Sequence, residues 1–196
     1  MRVVYITLLI ASTAIGCARV HSNVPSSLAA MRRPASHAIE ERPDSADVSV
    51  ERHGVLHVSA ECAYDVLADI TRWDRWDRSI VATRRLDGAN NAEPLAVGAR
   101  FRQEFDGFTA HSRVLEARRG HILRWRGAPP QASGPVGVHT WTFVSRPDGN
   151  TTVINDEHFH AWYLRPAGWF SDFGISDQFD NTIADLDKEA QYRCGG

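Results

Sequence analysis

Ser59–Ile80 reads SAECAYDVLADITRWDRWDRSI, and the way this stretch folds decides how the remaining chain is arranged. Ser59 is a fair N-cap, with Cys62 standing where a capping box would want glutamate, and Ala63, Val66, Leu67 and Ile70 form one apolar stripe at helical spacing. A short amphipathic helix is therefore expected. Trp73 and Trp76 follow three residues apart, so a second short helix would put both rings on one face and turn Arg72, Asp74, Arg75, Asp77 and Arg78 mostly toward water. Tryptophan buries a large apolar area and keeps an N–H to donate, which suits plain core and the wall of a cavity equally. The spacing alone leaves that choice open.

On the N-terminal side, Val48–Ala60 (VSVERHGVLHVSA) reads as a strand with one irregularity near Gly54. On the C-terminal side comes a series of short β-like runs: Ser79–Leu86, Gly98–Phe105, Phe108–Ala117, His121–Gly127, Gly137–Ser145 and Thr151–Trp162. Asp106-Gly107, Arg119-Gly120, APPQASGP and RPDGN separate them, and these are hairpin turn signals, so an antiparallel sheet is expected. Gly168–Arg193 then carries Phe170, Phe173, Ile175, Phe179, Ile183 and Leu186 at helix-like spacing, broken only by Gly174, before the chain stops at Gly195-Gly196. A single long helix is the one element left to cover the apolar face of the sheet.

In this order of elements the chain resembles the helix-grip proteins of the START, Bet v 1 and polyketide cyclase superfamily. Ser59–Ile80 is similar to that family's strand, short helix and Trp-x-x-Trp pair before the second strand. GARFRQEF, HTWTFVSRPDGNTTVINDEHF and the aromatic final helix match in turn. The resemblance covers about Val48 to Arg193. It implies an α+β fold in which a curved antiparallel sheet of about seven strands wraps a long C-terminal helix, with two short helices after strand one. It further implies a cavity between sheet and helix, with Trp73 and Trp76 walling its mouth or packing beneath it.

Strand alternation supplies candidates for the cavity wall. Phe101, Gln103 and Phe105 form one every-second-residue set, Leu123 and Trp125 another, His139, Trp141 and Phe143 a third, and Val153, Asn155, Glu157 and Phe159 a fourth. Phe173 and Phe179 would face them from the helix. Aromatic bulk with a few polar groups is the usual makeup of a small-molecule site. An inward Glu157 needs a partner or a raised pKa, and it reads either as a structural carboxylate or, with His139, as a catalytic acid or base. His158 and His160 share a face with Asp156, a spacing that can grip a metal, but if Glu157 and Phe159 point inward these histidines point to solvent. No metal and no cofactor is implied. Neither a glycine-rich phosphate loop nor a Gly-x-Ser-x-Gly elbow occurs in the sequence.

The N-terminus carries a different message. Met1-Arg2, the apolar run Val3–Ile15 and Gly16-Cys17 have the three regions of an export signal, too short to span a bilayer. Its end, AIGC, resembles a bacterial lipoprotein signal. That implies lipidation of Cys17, with cleavage without lipid as the alternative. Residues 18–47 hold three prolines, scattered charge and no sustained apolar period, the texture of a flexible tether with a reach of roughly 30 Å. Residues 1–17 are thus expected as leader, 18–47 as tether and 48–196 as the folded domain. In an exported protein Cys62 and Cys194, the cysteines besides Cys17, would be free to pair. The 196 residues are 43% hydrophobic and 23% charged with a net charge of -2, which gives no footprint for nucleic acid. The expected partners are a small hydrophobic molecule or a lipid, and the membrane through the N-terminal anchor. Two functions fit: a tethered binding module outside the cytoplasm, or a cyclase or dehydratase using His139 or Glu157 as general acid or base.

Overall fold

The computed structural model describes residues 48–90, 93–130, 136–160 and 175–195; Cys17, the tether and Phe173 lie outside them. Strand β1 (Val48–Leu56) leads into helix α1 (Ala60–Ala68), a single 3-10 turn (Ile70–Arg72) and helix α2 (Trp73–Trp76). Six strands follow: β2 (Ile80–Arg85), β3 (Arg100–Phe105), β4 (Phe108–Arg118), β5 (Ile122–Ala128), β6 (Val136–Ser145) and β7 (Thr151–His160). Helix α3 (Ile175–Cys194) closes the chain.

All seven strands form one antiparallel sheet in the order β1-β7-β6-β5-β4-β3-β2, so the first strand joins the last and the consecutive hairpins fill the space between. Each run separated by a turn signal in the sequence became one strand. At the β3–β4 and β6–β7 turns Gly107 and Gly149 take φ of 75° and 82°, the left-handed region where a side chain would be strained. The irregularity expected near Gly54 is absent, since β1 pairs with β7 without a break from Val48 to Leu56. Gly54 instead gives α3 room: a Cβ there would lie 2.5 Å from Ile183 Cγ2. The sheet's register shifts fall in β2, between Ile80 and Ala82, and in β4, between Val114 and Glu116.

Ser59 caps α1 by accepting the Cys62 N–H at 3.3 Å, and the stripe Ala63, Val66, Leu67 and Ile70 is buried. Trp73 is buried too, its Nε1–H donating to Leu67 O at 2.9 Å and its ring set edge-on to Phe101. Asp77, expected to face water, is buried. The reason is local: its Oδ1 accepts both the Ser79 N–H at 2.9 Å and the Ser79 hydroxyl at 2.6 Å, folding the carboxylate into the turn before β2.

Helix α3 is tied down in three ways. Asp187 accepts the His57 N–H at 2.6 Å and pairs with His57 Nδ1 at 2.8 Å. Arg78 reaches Asp185 with two parallel bonds of 2.8 and 2.6 Å. Cys62 on α1 and Cys194 at the helix end are joined by a disulfide, Cα to Cα 6.5 Å.

Candidate functional site

Between the inner face of the sheet, α2 and the N-terminal half of α3 lies a cavity of about 530 Å³. Its wall is built strand by strand from the alternating sets. Strand β3 contributes Gln103 and Phe105, β5 Trp125, β6 His139 and Trp141, and β7 Asn155, Glu157 and Phe159. Trp73 and Trp76 border it from α2, and Phe179 from α3. Phe101 and Phe143, also expected on this wall, sit instead in the packed core, 0% and 2% exposed and off the cavity. Both lie one step further along their strands than the cavity reaches.

The polar groups cluster at one place. His139 Nε2 lies 2.5 Å from Asn155 Oδ1, which assigns the Nε2–H tautomer, because a carboxamide oxygen can only accept. His139 Nδ1 then carries the lone pair and faces Glu157, whose Oε2 stands 3.6 Å away, beyond hydrogen-bond reach. Register makes this arrangement. Trp125, His139 and Glu157 are direct cross-strand partners on β5, β6 and β7, and Trp141 is paired with Asn155 beside them.

Aromatic rings enclose the imidazole. Phe179 stacks parallel to it at 5.3 Å, and Trp125 leans on it at 4.6 Å. Burial lowers the pKa of His139 to about 4, against the opposing hydrogen bond to Asn155, although the side chain keeps 17% exposure where it lines the cavity. Burial likewise raises that of Glu157 to about 8, helped by the neighbouring Asp156 charge. Near neutral pH the site therefore holds a protonated carboxyl beside a neutral imidazole, the reverse of the ionic pair these groups would form in water. The 3.6 Å gap between them leaves each free to meet a ligand oxygen, the carboxyl as donor or acceptor.

Gln103 is satisfied by the Ser112 hydroxyl at 2.8 Å. The sequence reading did not find Gly127 and Gly137, which are paired across β5 and β6 and border the cavity. A Cβ on Gly137 would collide with Glu157 Oε1 and meet Phe159 Cε1 at 3.3 Å, and one on Gly127 would meet Ser112 Oγ at 3.1 Å. The signal was present, because glycine inside a strand marks a close approach; here it was read as a strand boundary. His158 pairs with Asp156 at 3.0 Å. Among the described residues, no three His, Cys, Asp or Glu side chains gather as a metal site.

A curved seven-stranded sheet closed on a cavity by one long helix defines the helix-grip class. The chain belongs to the family described as polyketide cyclase / dehydrase and lipid transport, whose model matches residues 47–190. It is similar to a hypothetical protein from Helicobacter pylori at 16% identity, covering 81% of this chain and 99% of that one with a TM-score of 0.67. Zhui aromatase/cyclase from a Streptomyces species matches at 15% identity over 76% and 98% of the two chains, TM-score 0.59. A START superfamily protein from Mycobacterium smegmatis matches at 13% identity over 74% and 97%, TM-score 0.58. At these identities the likeness speaks for the fold alone. No curated protein matches the chain closely enough to serve as a relative.

Proposed function

We propose that this protein is a binding module that holds a small, mostly apolar or aromatic molecule or a lipid inside its cavity. The observation that carries the reading is the cavity itself: about 530 Å³, within the usual range for ligand sites, walled by tryptophan and phenylalanine, with one small polar cluster to orient a ligand. Because Glu157 is held protonated and His139 neutral, the polar end of a ligand meets no fixed charge there, which favours neutral molecules. Binding of an apolar fluorescent probe tests this. Phe179→Ala should alter probe affinity with modest loss of stability, and Gly137→Val should abolish binding by driving side-chain atoms into the space of Glu157. A parent protein that binds no probe, together with variants that simply unfold, would make these rings a filled core, where truncation of Phe or Trp costs about 3–5 kcal/mol.

The His139–Glu157 pair favours a second reading, a cyclase or dehydratase in which the carboxyl gives a proton to a substrate oxygen while the imidazole takes one from carbon. Glu157→Gln separates the two. A binding module keeps its affinity for ligands lacking a donor group, whereas an enzyme loses turnover with binding intact.

In the same proposal the domain works outside the cytoplasm, tethered to a membrane through lipid on Cys17. The support is the AIGC end of a short apolar leader and the proline-bearing stretch after it. Cys17→Ser should move the protein from the membrane fraction to the soluble one. Identical fractionation of variant and parent would remove the anchor from the proposal.

A further inference from the structure

The outer face of the sheet, turned away from α3, is crowded with arginine. Since Phe101, Gln103, Ser112 and Trp125 point inward, alternation sends Arg100, Arg102, Arg113 and Arg126 outward. Register then places like charges side by side. Arg84 is opposite Arg102, Arg102 opposite His111, Arg100 opposite Arg113, and Arg113 opposite Arg126. Direct cross-strand neighbours approach within about 5 Å at Cβ, where like charges destabilise a sheet. Relief from carboxylates is partial: Glu104 lies 3.0 Å from Arg102, and Glu116 serves Arg118 and Arg124. Arg84, Arg100 and Arg113 are exposed, and their guanidinium groups have no acidic partner among the described residues; Asp87 accepts only the backbone N–H of Arg100.

Opposite charge collects elsewhere, on α3, where Asp177 and Asp180 are exposed. Most carboxylates of α3 are taken up by Arg52, Arg72, Arg78 and His57, so the surplus of positive charge lies on the β2–β5 part of the sheet. Where the arginine rows approach the β3–β4 turn the surface becomes apolar. Phe108 is 43% and Val81 61% exposed, and a shallow depression bordered by Arg84, Arg102, Glu104, His111, Phe108 and Pro130 joins the arginine rows to Phe108.

We propose that this face docks on an anionic phospholipid bilayer, with the arginine rows on lipid phosphates and the adjoining sheet edge, where Phe108 and Val81 are exposed at the cavity mouth, entering the boundary between headgroups and acyl chains. Guanidinium matches phosphate with two parallel hydrogen bonds, and lipid phosphates supply the counter-charge that the fold withholds from Arg84, Arg100 and Arg113. The apolar tip decides between polyanions, because exposed phenylalanine and valine gain burial in a lipid interface and nothing on a phosphodiester backbone. This contact is separate from the anchor expected at Cys17 and from whatever the cavity holds. It would also set the cavity beside the bilayer, since Val81 and Phe108 line the cavity and Phe108 borders the outer depression as well.

Cosedimentation of the full chain with phosphatidylcholine vesicles, with and without phosphatidylglycerol, tests the proposal. Any contribution of the apolar leader is common to every arm. Partition should rise by about tenfold or more with phosphatidylglycerol and fall as salt is added. The triple variant Arg84→Gln, Arg100→Gln, Arg113→Gln should lose about tenfold or more of that binding while melting no lower than the parent, because it removes like-charge pairs. Phe108→Ser should weaken vesicle binding and leave its salt dependence in place. Equal partition onto both vesicles, or a triple variant that binds like the parent, overturns the proposal. So does tight binding of double-stranded DNA by a protein that ignores vesicles.

Discussion

Between pH 6.5 and pH 8 the melting temperature of this protein falls, and in Glu157→Gln it does not. The sign follows from the two buried groups. Glu157 titrates near 8 in the fold and at 4.5 as a free side chain, so between those values the folded state holds more protons than the unfolded one and stability declines as pH rises. His139 titrates near 4 in the fold and at 6.5 outside it, so between 4 and 6.5 the unfolded state holds the extra proton and stability climbs with pH. The two slopes oppose each other from 4.5 to 6.5 and nearly cancel. Above 6.5 the Glu157 slope dominates, and it removes about 1 kcal/mol by pH 8, because the 1.36 kcal/mol per unit tapers as Glu157 nears its own pKa and the last of the His139 slope opposes it. Thermal melts of parent and Glu157→Gln across this range measure it directly. A parent whose melting temperature is flat from 6.5 to 8 would mean that Glu157 is ionised and solvated, and the neutral polar cluster of the cavity would go with it.

Opening the Cys62–Cys194 disulfide lowers stability by about 3 kcal/mol, the middle of the range for native bridges. The sequence separation of 132 residues makes the closed loop nearly the whole folded domain, and the cost of closing a loop in the unfolded chain grows with its length. For a domain of this size the melting temperature should drop by roughly 10 °C. The double variant Cys62→Ala, Cys194→Ala and the reduced parent should agree, and peptide mapping without reductant should recover the two cysteines linked. Melts that coincide with and without reductant would mean the thiols are free in the protein.

The fold was legible because its signals are local and repeat. Hairpin turns announced themselves through Asp-Gly and Arg-Gly pairs, and period-2 alternation assigned Gln103, Trp125, Trp141, Asn155 and Glu157 to the inner face with no knowledge of their neighbours. Only depth escaped. Alternation says which face a residue takes and nothing about how far along the strand the cavity extends, so Phe101 and Phe143 were placed on a wall that stops short of them. Asp77 failed for a different reason: helical spacing pointed it to water, while two hydrogen bonds within its own turn drew it inside. The contact of His139 with both Asn155 and Glu157 was illegible as well, because it depends on the exact register of β6 on β7, which no stretch of the chain encodes alone. Net charge hid the arginine rows, since an average over the chain cancels a surplus confined to one part of the sheet.

Helix α3 is a beam fastened along its length. Its last turns are held by the bond from Cys194 to α1 and by the grip of Asp187 on His57, its middle by Arg78 on Asp185, while Arg52 reaches Asp180, beside Phe179, at 3.5 Å. At 1.5 Å of rise per residue Phe179 stands about 9 Å from the Asp185 fastening, so the beam has no long free arm to swing. Widening the cavity at that ring then asks the exposed ion pairs of Arg78 and Arg52 to give way and leaves the strand ladder whole.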